Sequence, residues 1–417
     1  MRHRLNRVPA CARAGSGRTH KLQAKAIART VRVRIRMTID FNRIIDRRNS
    51  DSLKWSDPRG TNAIPMWVAD MDFAVPECVI HALRERVDQG VFGYSIAAPA
   101  VQQAVVDWAE SHYQWRIDPA WIVWLPGLVP GIHLACRALL HSEDEILTLV
   151  PVYPPFLEAP RLAGRALQTV PLMQEKDRWV LDLDELHKAI HPRTKLLLFC
   201  SPHNPVGKVF GREELLAVAE ICERHDLLIC SDEIHCDLIL DPVRHVPFAS
   251  LNQEIAERTV TLMSPSKTFN LSGLSCGFAV IPNPELRKRF KAAASDLVPQ
   301  PNALGYVACR AAYEGGEAWR VALIDYLRGN RDLLASFFAE QLPRLKMSRV
   351  EATYLAWIDT RYLGEKSGAG FFEKAGVRLS EGDPFQGPGF VRLNFACPRP
   401  TLRDALERIS AAVRGIA

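Results

Sequence analysis

No stretch of this chain offers the roughly eighteen uninterrupted apolar residues that a membrane span needs, so no membrane partner is expected. The ten cysteines form no CxxC pair and no zinc-ligand spacing, and no metal is expected. Several cysteines sit inside apolar runs, such as Cys200 in LLLFCSP and Cys230 in LLICSDE. Buried, reduced thiols are expected there, which fits a cytoplasmic protein. Beyond residue 36 the chain has no repeat and no low-complexity tract.

Acid is missing altogether from residues 1–36, which carry eleven Lys and Arg. The formal net charge of +6 comes from this stretch, since the rest has 42 basic against 47 acidic residues. A basic surface would have pointed to nucleic acid; the body gives no such sign, and no nucleic-acid partner is expected. Three readings of 1–36 stand side by side: an Arg-rich targeting peptide, a nucleic-acid arm, or sequence upstream of a true start at Met37. The third is favoured, because Met37 directly precedes the first ordinary folded sequence and no apolar h-region precedes it. In each case the extension is expected to be disordered and outside the chemistry.

The remaining length suggests two domains, or one α/β domain with a smaller lobe. Helical patterns cover Ala100–His112, Gly131–Leu140 and Arg212–His225, the last with acids in its first turn. Short apolar runs at Glu145–Leu149, Lys195–Cys200, Leu227–Ser231, Thr259–Met263 and Gly277–Ile281 read as strands. Such alternation implies an α/β fold with a mostly parallel sheet sandwiched by helices. After about residue 300, a long helix over Glu317–Gln341 precedes strands at Thr353–Asp359 and Gly389–Phe395 and a last helix over Thr401–Val413. These suggest a smaller α+β lobe.

The polar residues fall at one edge. Three successive strands run into Ser201-Pro202-His203-Asn204, Asp232-Glu233-Ile234-His235 and Ser264-Pro265-Ser266-Lys267. In open α/β sheets the carboxyl ends of the strands are where ligands bind. An aldehyde cofactor needs an amine to hold it, an acid facing its ring nitrogen, a donor to its phenolic oxygen and a cradle for its phosphate. Lys267 can be the amine, and Asp232 the acid. Asn204 can donate its amide to the phenolic oxygen, and Tyr153, just past a strand end, can stack on the ring. Gly127 and Leu128, at the opening of a helix, offer backbone N–H groups to a phosphate, and Ser264 and Ser266 add hydroxyls. Each has an ordinary alternative: Asx residues past strands cap turns, and tyrosines usually pack.

Together these stretches resemble fold-type I pyridoxal-phosphate enzymes, the class I/II aminotransferase superfamily. CSPHNPVGKVF, SDEIHCDLIL, SPSKTFNLSGL, GFVRLNFACPR, PMWVADMDFAVP and VFGYS are similar to the MalY/PatB-type cystathionine β-lyase (C–S lyase) branch. The resemblance spans 37–417. It implies the fold-type I fold, with its smaller domain formed by the N- and C-terminal parts: 37–80 and 301–417 in the small domain, 81–300 in the large one. It implies pyridoxal 5'-phosphate on Lys267, a small amino-acid substrate, and a homodimer with shared active sites. In that homodimer Tyr94 reaches the cofactor of the other subunit, and Arg392 binds the substrate carboxylate. Many aminotransferases of the superfamily carry Tyr where this chain has His235, and Arg where it has Ser275. Both departures favour the lyase reading, with His235 at the cofactor. The expected reaction is cleavage of cystathionine, or a related S-substituted cysteine, to a thiol, pyruvate and ammonia. An aminotransferase, or a regulatory protein with secondary lyase activity, is the alternative.

Overall fold

The mostly apolar runs EILTLV, TKLLLFC, LICSD and TVTLM are buried along nearly their whole lengths. Strands with helices on both faces are apolar throughout rather than alternating. In the computed structural model, which describes residues 39–57, 60–295, 297–364 and 368–415, they form the centre of a seven-stranded sheet. The extension at 1–36 lies outside the described residues. From one edge the strands are Ile122–Leu125, Gly277–Val280, Thr259–Met263, Leu228–Asp232, Thr194–Cys200, Glu145–Val150 and Leu167–Pro171. All neighbours pair in parallel except around Gly277–Val280, which runs antiparallel to both.

Alternate residues of each strand feed opposite faces. Ile146, Leu196, Leu198 and Val260 join a core with the helix Leu128–Ala138 and with Leu286 and Phe290 of the helix Pro284–Ala294. Leu147, Leu197, Phe199 and Ile229 pack instead with Leu215, Val218 and Cys222 of the helix Arg212–Arg224. Burying each such side chain contributes roughly 1.5–3 kcal/mol. Two glycines let the Leu128–Ala138 helix approach the sheet. A Cβ on Gly131 would lie 2.9 Å from Leu262 and 3.0 Å from Leu125, and one on Gly277 would lie 2.7 Å from Leu128.

The C-terminal part builds an antiparallel sheet in the order Lys346–Met347, Leu355–Asp359, Phe390–Asn394, Ser380–Glu381. The helix Glu317–Gln341 lies in the same part of the chain, and its fully buried Asn330 donates to the carbonyls of Phe395 (3.0 Å) and Cys397 (2.9 Å). The N-terminal segment joins this part. Ile64–Pro65 pairs in parallel with Val377–Arg378, and Asn394 Nδ2 donates to the carbonyls of Val68 and Asp70, each across 2.6 Å.

Most boundaries move by a residue or two from the sequence pattern, and two of the shifts have a clear physical cause. The helix expected over Gly131–Leu140 starts at Leu128, because Pro130 is tolerated in a first turn, where its missing N–H would have no partner anyway. The strand expected from Thr353 starts at Leu355, because Thr353 sits at φ +73°. The nine described cysteines are all free thiols, and eight of them are buried. Among the described residues no helix is long and apolar enough to cross a membrane.

Candidate active site

The carboxyl ends of the central strands open into a cavity of about 240 Å³. Its lining includes Lys267, Asp232, Asn204, Tyr153, His235, Ser264, Ser266, Gly127 and Leu128. Nine of the eleven residues singled out in the sequence therefore meet in one place. Strand geometry does most of this: Asp232 is the last residue of its strand, and Asn204 and Lys267 follow theirs by four residues.

Lys267 is enclosed, and burial, reinforced by the Arg392 charge, lowers its amine to about 8. Asp70 and Asp232 pull the other way. Its Nζ donates to the Ala69 carbonyl across 2.6 Å. Asp232, 5% exposed, is raised to about 7, chiefly by burial and further by the neighbouring Glu233 charge. The backbone N–H of Ile234, 3.0 Å from Asp232 Oδ1, and the Lys267 charge offset part of that. A half-buried lysine and a buried carboxylate thus face one cavity, each within the other's field. Shifts of this kind are concentrated at functional sites.

Asn204 Oδ1 accepts from Arg392 Nη1 across 3.0 Å. With the oxygen so engaged, the amide nitrogen is left as the donor. Arg392, 5% exposed, also donates through Nη2 to the Trp67 carbonyl (3.0 Å) and lies 4.7 Å from the Phe385 ring centroid. Arg392 is absent from the cavity lining itself but stands immediately behind Asn204. Its Nε and the Nδ1 of His235 are buried without a hydrogen-bond partner. Burial holds His235 down at about 3, with help from the Lys267 and Arg392 charges, so its ring is neutral. Two orphaned polar atoms in so enclosed a region call for a ligand.

At the other end of the cavity the helix Leu128–Ala138 begins. Its cap residue Gly127 has no side chain with which to cap it, and the first-turn N–H groups have no intrahelical acceptor. With the hydroxyls of Ser264, Ser266, Ser272 and Ser275 around the same cavity, this end suits an anion. Ser264 is partly committed: its hydroxyl donates to the Cys276 carbonyl (2.7 Å) and accepts from the Ser266 N–H (3.0 Å).

Tyr94 stays apart. It is fully exposed, in a run with exposed Val91, Phe92 and Ile96, and it does not reach the cavity of its own chain. Sequence reasoning passed over Ala69, whose contribution is a carbonyl; Tyr354, whose hydroxyl donates to that carbonyl across 3.0 Å; and Ser272. The only available signal was the run WVADMDF, since no side chain in it announces a backbone acceptor. Glu233 is structural: it accepts from Ser231 Oγ (2.8 Å) and the Phe248 N–H (2.9 Å), with His245 Nε2 at 2.7 Å.

Residues 61–409 match the family model for aminotransferase class I and II. Cystathionine beta-lyase PatB of Bacillus subtilis strain 168 is 36% identical over 387 residues, spanning 90% of this chain and 100% of PatB. The crystal structure of OvoB is 49% identical, with a TM-score of 0.87 over 89% of this chain and 98% of that one. Cystalysin from Treponema denticola, whose crystal structure contains pyridoxal 5'-phosphate, is 34% identical with a TM-score of 0.88, covering 91% and 100%.

Proposed function

This chain belongs to the class I and II aminotransferase family, and on that premise we propose that it is a pyridoxal-phosphate-dependent carbon–sulfur β-lyase. Its substrate is cystathionine or a related S-substituted cysteine, cleaved to a thiol, pyruvate and ammonia. The observation that carries this reading is the half-buried Lys267 facing the buried Asp232 carboxylate in one cavity, in a chain that aligns over the whole length of a cystathionine β-lyase.

The residues present fit the cofactor by their chemistry. Lys267 would hold its aldehyde carbon, Asp232 its ring nitrogen, and Asn204 its phenolic oxygen, with neutral His235 beside them. Tyr153 would cover a ring face, and Gly127, Leu128, Ser264 and Ser266 would hold the phosphate. When bound, pyridoxal phosphate supplies an aldehyde that captures the substrate amine and a ring that takes up the electron pair left at Cα.

The rest falls to the chain. Asp232 would be ionised when it faces a protonated ring nitrogen, and its carboxylate would hold the proton there. Lys267, whose amine burial lowers to about 8 so that part of it is unprotonated near neutral pH, takes the proton from the substrate Cα. Arg392 would bind the substrate carboxylate with its planar fork and so fix the orientation of the bonds at Cα. Once the Cα proton has gone, the Cβ–S bond breaks and the sulfur leaves as a thiolate.

The exposed apolar run at 91–96 supports a homodimer in which Tyr94 completes the phosphate site of the other subunit. The lobe made from 37–80 and 301–417 would then close over the large domain at 81–300. A cytoplasmic location accords with the nine free thiols. The test is incubation of the holoenzyme with L-cystathionine and no keto acid. Stoichiometric pyruvate and homocysteine support the proposal; strict dependence on a keto-acid acceptor overturns it in favour of transamination.

A further inference from the structure

We infer that Tyr354 is a positioning residue for the Lys267 amine, acting through the Ala69 carbonyl that the two side chains share. This deepens the proposed function and rests on it only for the statement that Lys267 moves a proton at the substrate Cα.

Lys267 Nζ and Tyr354 Oη both donate to Ala69 O, across 2.6 and 3.0 Å. A carbonyl oxygen has two lone pairs. With one taken by the phenol, a single direction remains for the amine. An amine that gives an N–H to a fixed acceptor keeps its own lone pair turned away from that acceptor, free to receive a proton.

The acceptor is fixed on every side. Asn394 Nδ2 holds the carbonyls of Val68 and Asp70, each across 2.6 Å. Lys54 Nζ adds a bond to the Asp70 carbonyl (3.1 Å), and Arg392 Nη2 one to that of Trp67 (3.0 Å). Ala69 O therefore cannot follow the amine.

The backbone that delivers the phenol is strained, which is an independent observation. Thr353 sits at φ +73°, a conformation that β-branched residues rarely adopt. It is fully buried and held from several directions. Its N–H donates to the Leu238 carbonyl (2.9 Å), its Oγ1 accepts from the Leu355 N–H (3.1 Å), and the preceding Ala352 N–H donates to the Gly207 carbonyl (3.0 Å). The result is a Tyr354 that is 1% exposed, its ring 5.9 Å from that of His235 in an edge-on contact, and its hydroxyl on Ala69. Burial raises the phenol, so Tyr354 remains a donor across the working pH range.

The charges that bear on Lys267 are Arg392 from its strand, Asp70 from the segment beside Ala69, and Asp232 from the central sheet. His235, facing the same amine, is neutral. None of these changes when the Tyr354 hydroxyl is removed, so Tyr354→Phe isolates the shared carbonyl. Two donors on one oxygen weaken each other. Without the phenol, Ala69 O becomes a stronger acceptor for the ammonium form of Lys267.

Competitive acetylation of the cofactor-free full chain, read by peptide mass spectrometry, gives the titration midpoint of Lys267. In Tyr354→Phe the midpoint is expected to rise by about half a unit or more. In the holoenzyme, exchange of the L-alanine Cα proton in deuterium oxide, followed by NMR, should slow about tenfold. The acid limb of its pH profile should move upward by the same amount. L-alanine has no leaving group, so a failure of cystathionine cleavage leaves this assay readable. 3-Fluorotyrosine incorporated at Tyr354 keeps the shape and strengthens the donor, and the midpoint should move down; this arm carries the test if Tyr354→Phe does not fold. An unchanged midpoint and exchange rate, with only a lower Tm, would show a merely structural tyrosine and overturn the inference.

Discussion

Arg392 Nη1 donates to Asn204 Oδ1 across 3.0 Å, so the residue proposed to grip the substrate also sets the orientation of the amide proposed to grip the cofactor. An amide can turn over with little change in shape. Here a buried guanidinium decides which end faces it.

Arg392→Lys keeps the charge and loses the planar fork. Its kcat/KM for cystathionine is expected to fall about 10- to 100-fold, mostly through KM. The absorbance maximum of the bound cofactor should also shift, because Asn204 loses the partner that holds its oxygen. Steady-state kinetics and a visible spectrum on one preparation check both.

Asp232 makes the cofactor-free chain sensitive to pH. Its folded pKa of about 7 lies above the ordinary carboxylate value, so between about 4 and 7 the folded chain binds more protons than the unfolded one. The contribution to stability is present below that window and is lost as pH rises through it. Asp232→Asn does not titrate. It is expected to be more stable than the parent at pH 8, by on the order of a few kcal/mol, and to match it near pH 4. Calorimetry of the two cofactor-free chains at both pH values tests this.

Gly131→Ala should act on the cofactor from a distance. The new Cβ would lie 2.9 Å from Leu262 and 3.0 Å from Leu125, pushing the Leu128–Ala138 helix off the sheet. Overpacking of this kind costs about 1–3 kcal/mol. Because the first turn of that helix is the proposed phosphate cradle, the Kd for pyridoxal phosphate should rise while the Lys267 linkage still forms. Equilibrium titration with cofactor distinguishes this from simple loss of fold.

Shared active sites make a specific claim about Tyr94. Tyr94→Ala and Lys267→Ala should each be nearly inactive as homodimers. Refolded together in equal amounts, they should recover about a quarter of the parental activity, since half of the dimers then carry one intact site. No recovery would mean that each subunit works with its own Tyr94.

Much of the site was legible in the sequence because strand periodicity and strand ends are local properties. The run TKLLLFC announces a buried strand, and whatever follows it falls at the carboxyl edge. Lys267, Asp232 and Asn204 are expected at that edge in this way, and all three line the cavity. The Tyr354–Ala69 contact was not, since it joins residues 285 positions apart through a carbonyl that no side-chain pattern marks. Thr353 hid the same feature: its β-branched side chain extends the strand pattern, while its backbone adopts a left-handed conformation that only coordinates reveal. The helix start at Leu128 was misplaced because Pro130 reads as a boundary when it is in fact inside the first turn.

Borohydride reduction of the cofactor-loaded protein, followed by peptide mapping, tests the central claim most directly. The account predicts a pyridoxyl group on Lys267 alone, and loss of both that label and the visible absorbance in a folded Lys267→Ala variant. A label on any other lysine, or a visible band that survives in purified Lys267→Ala, would contradict it.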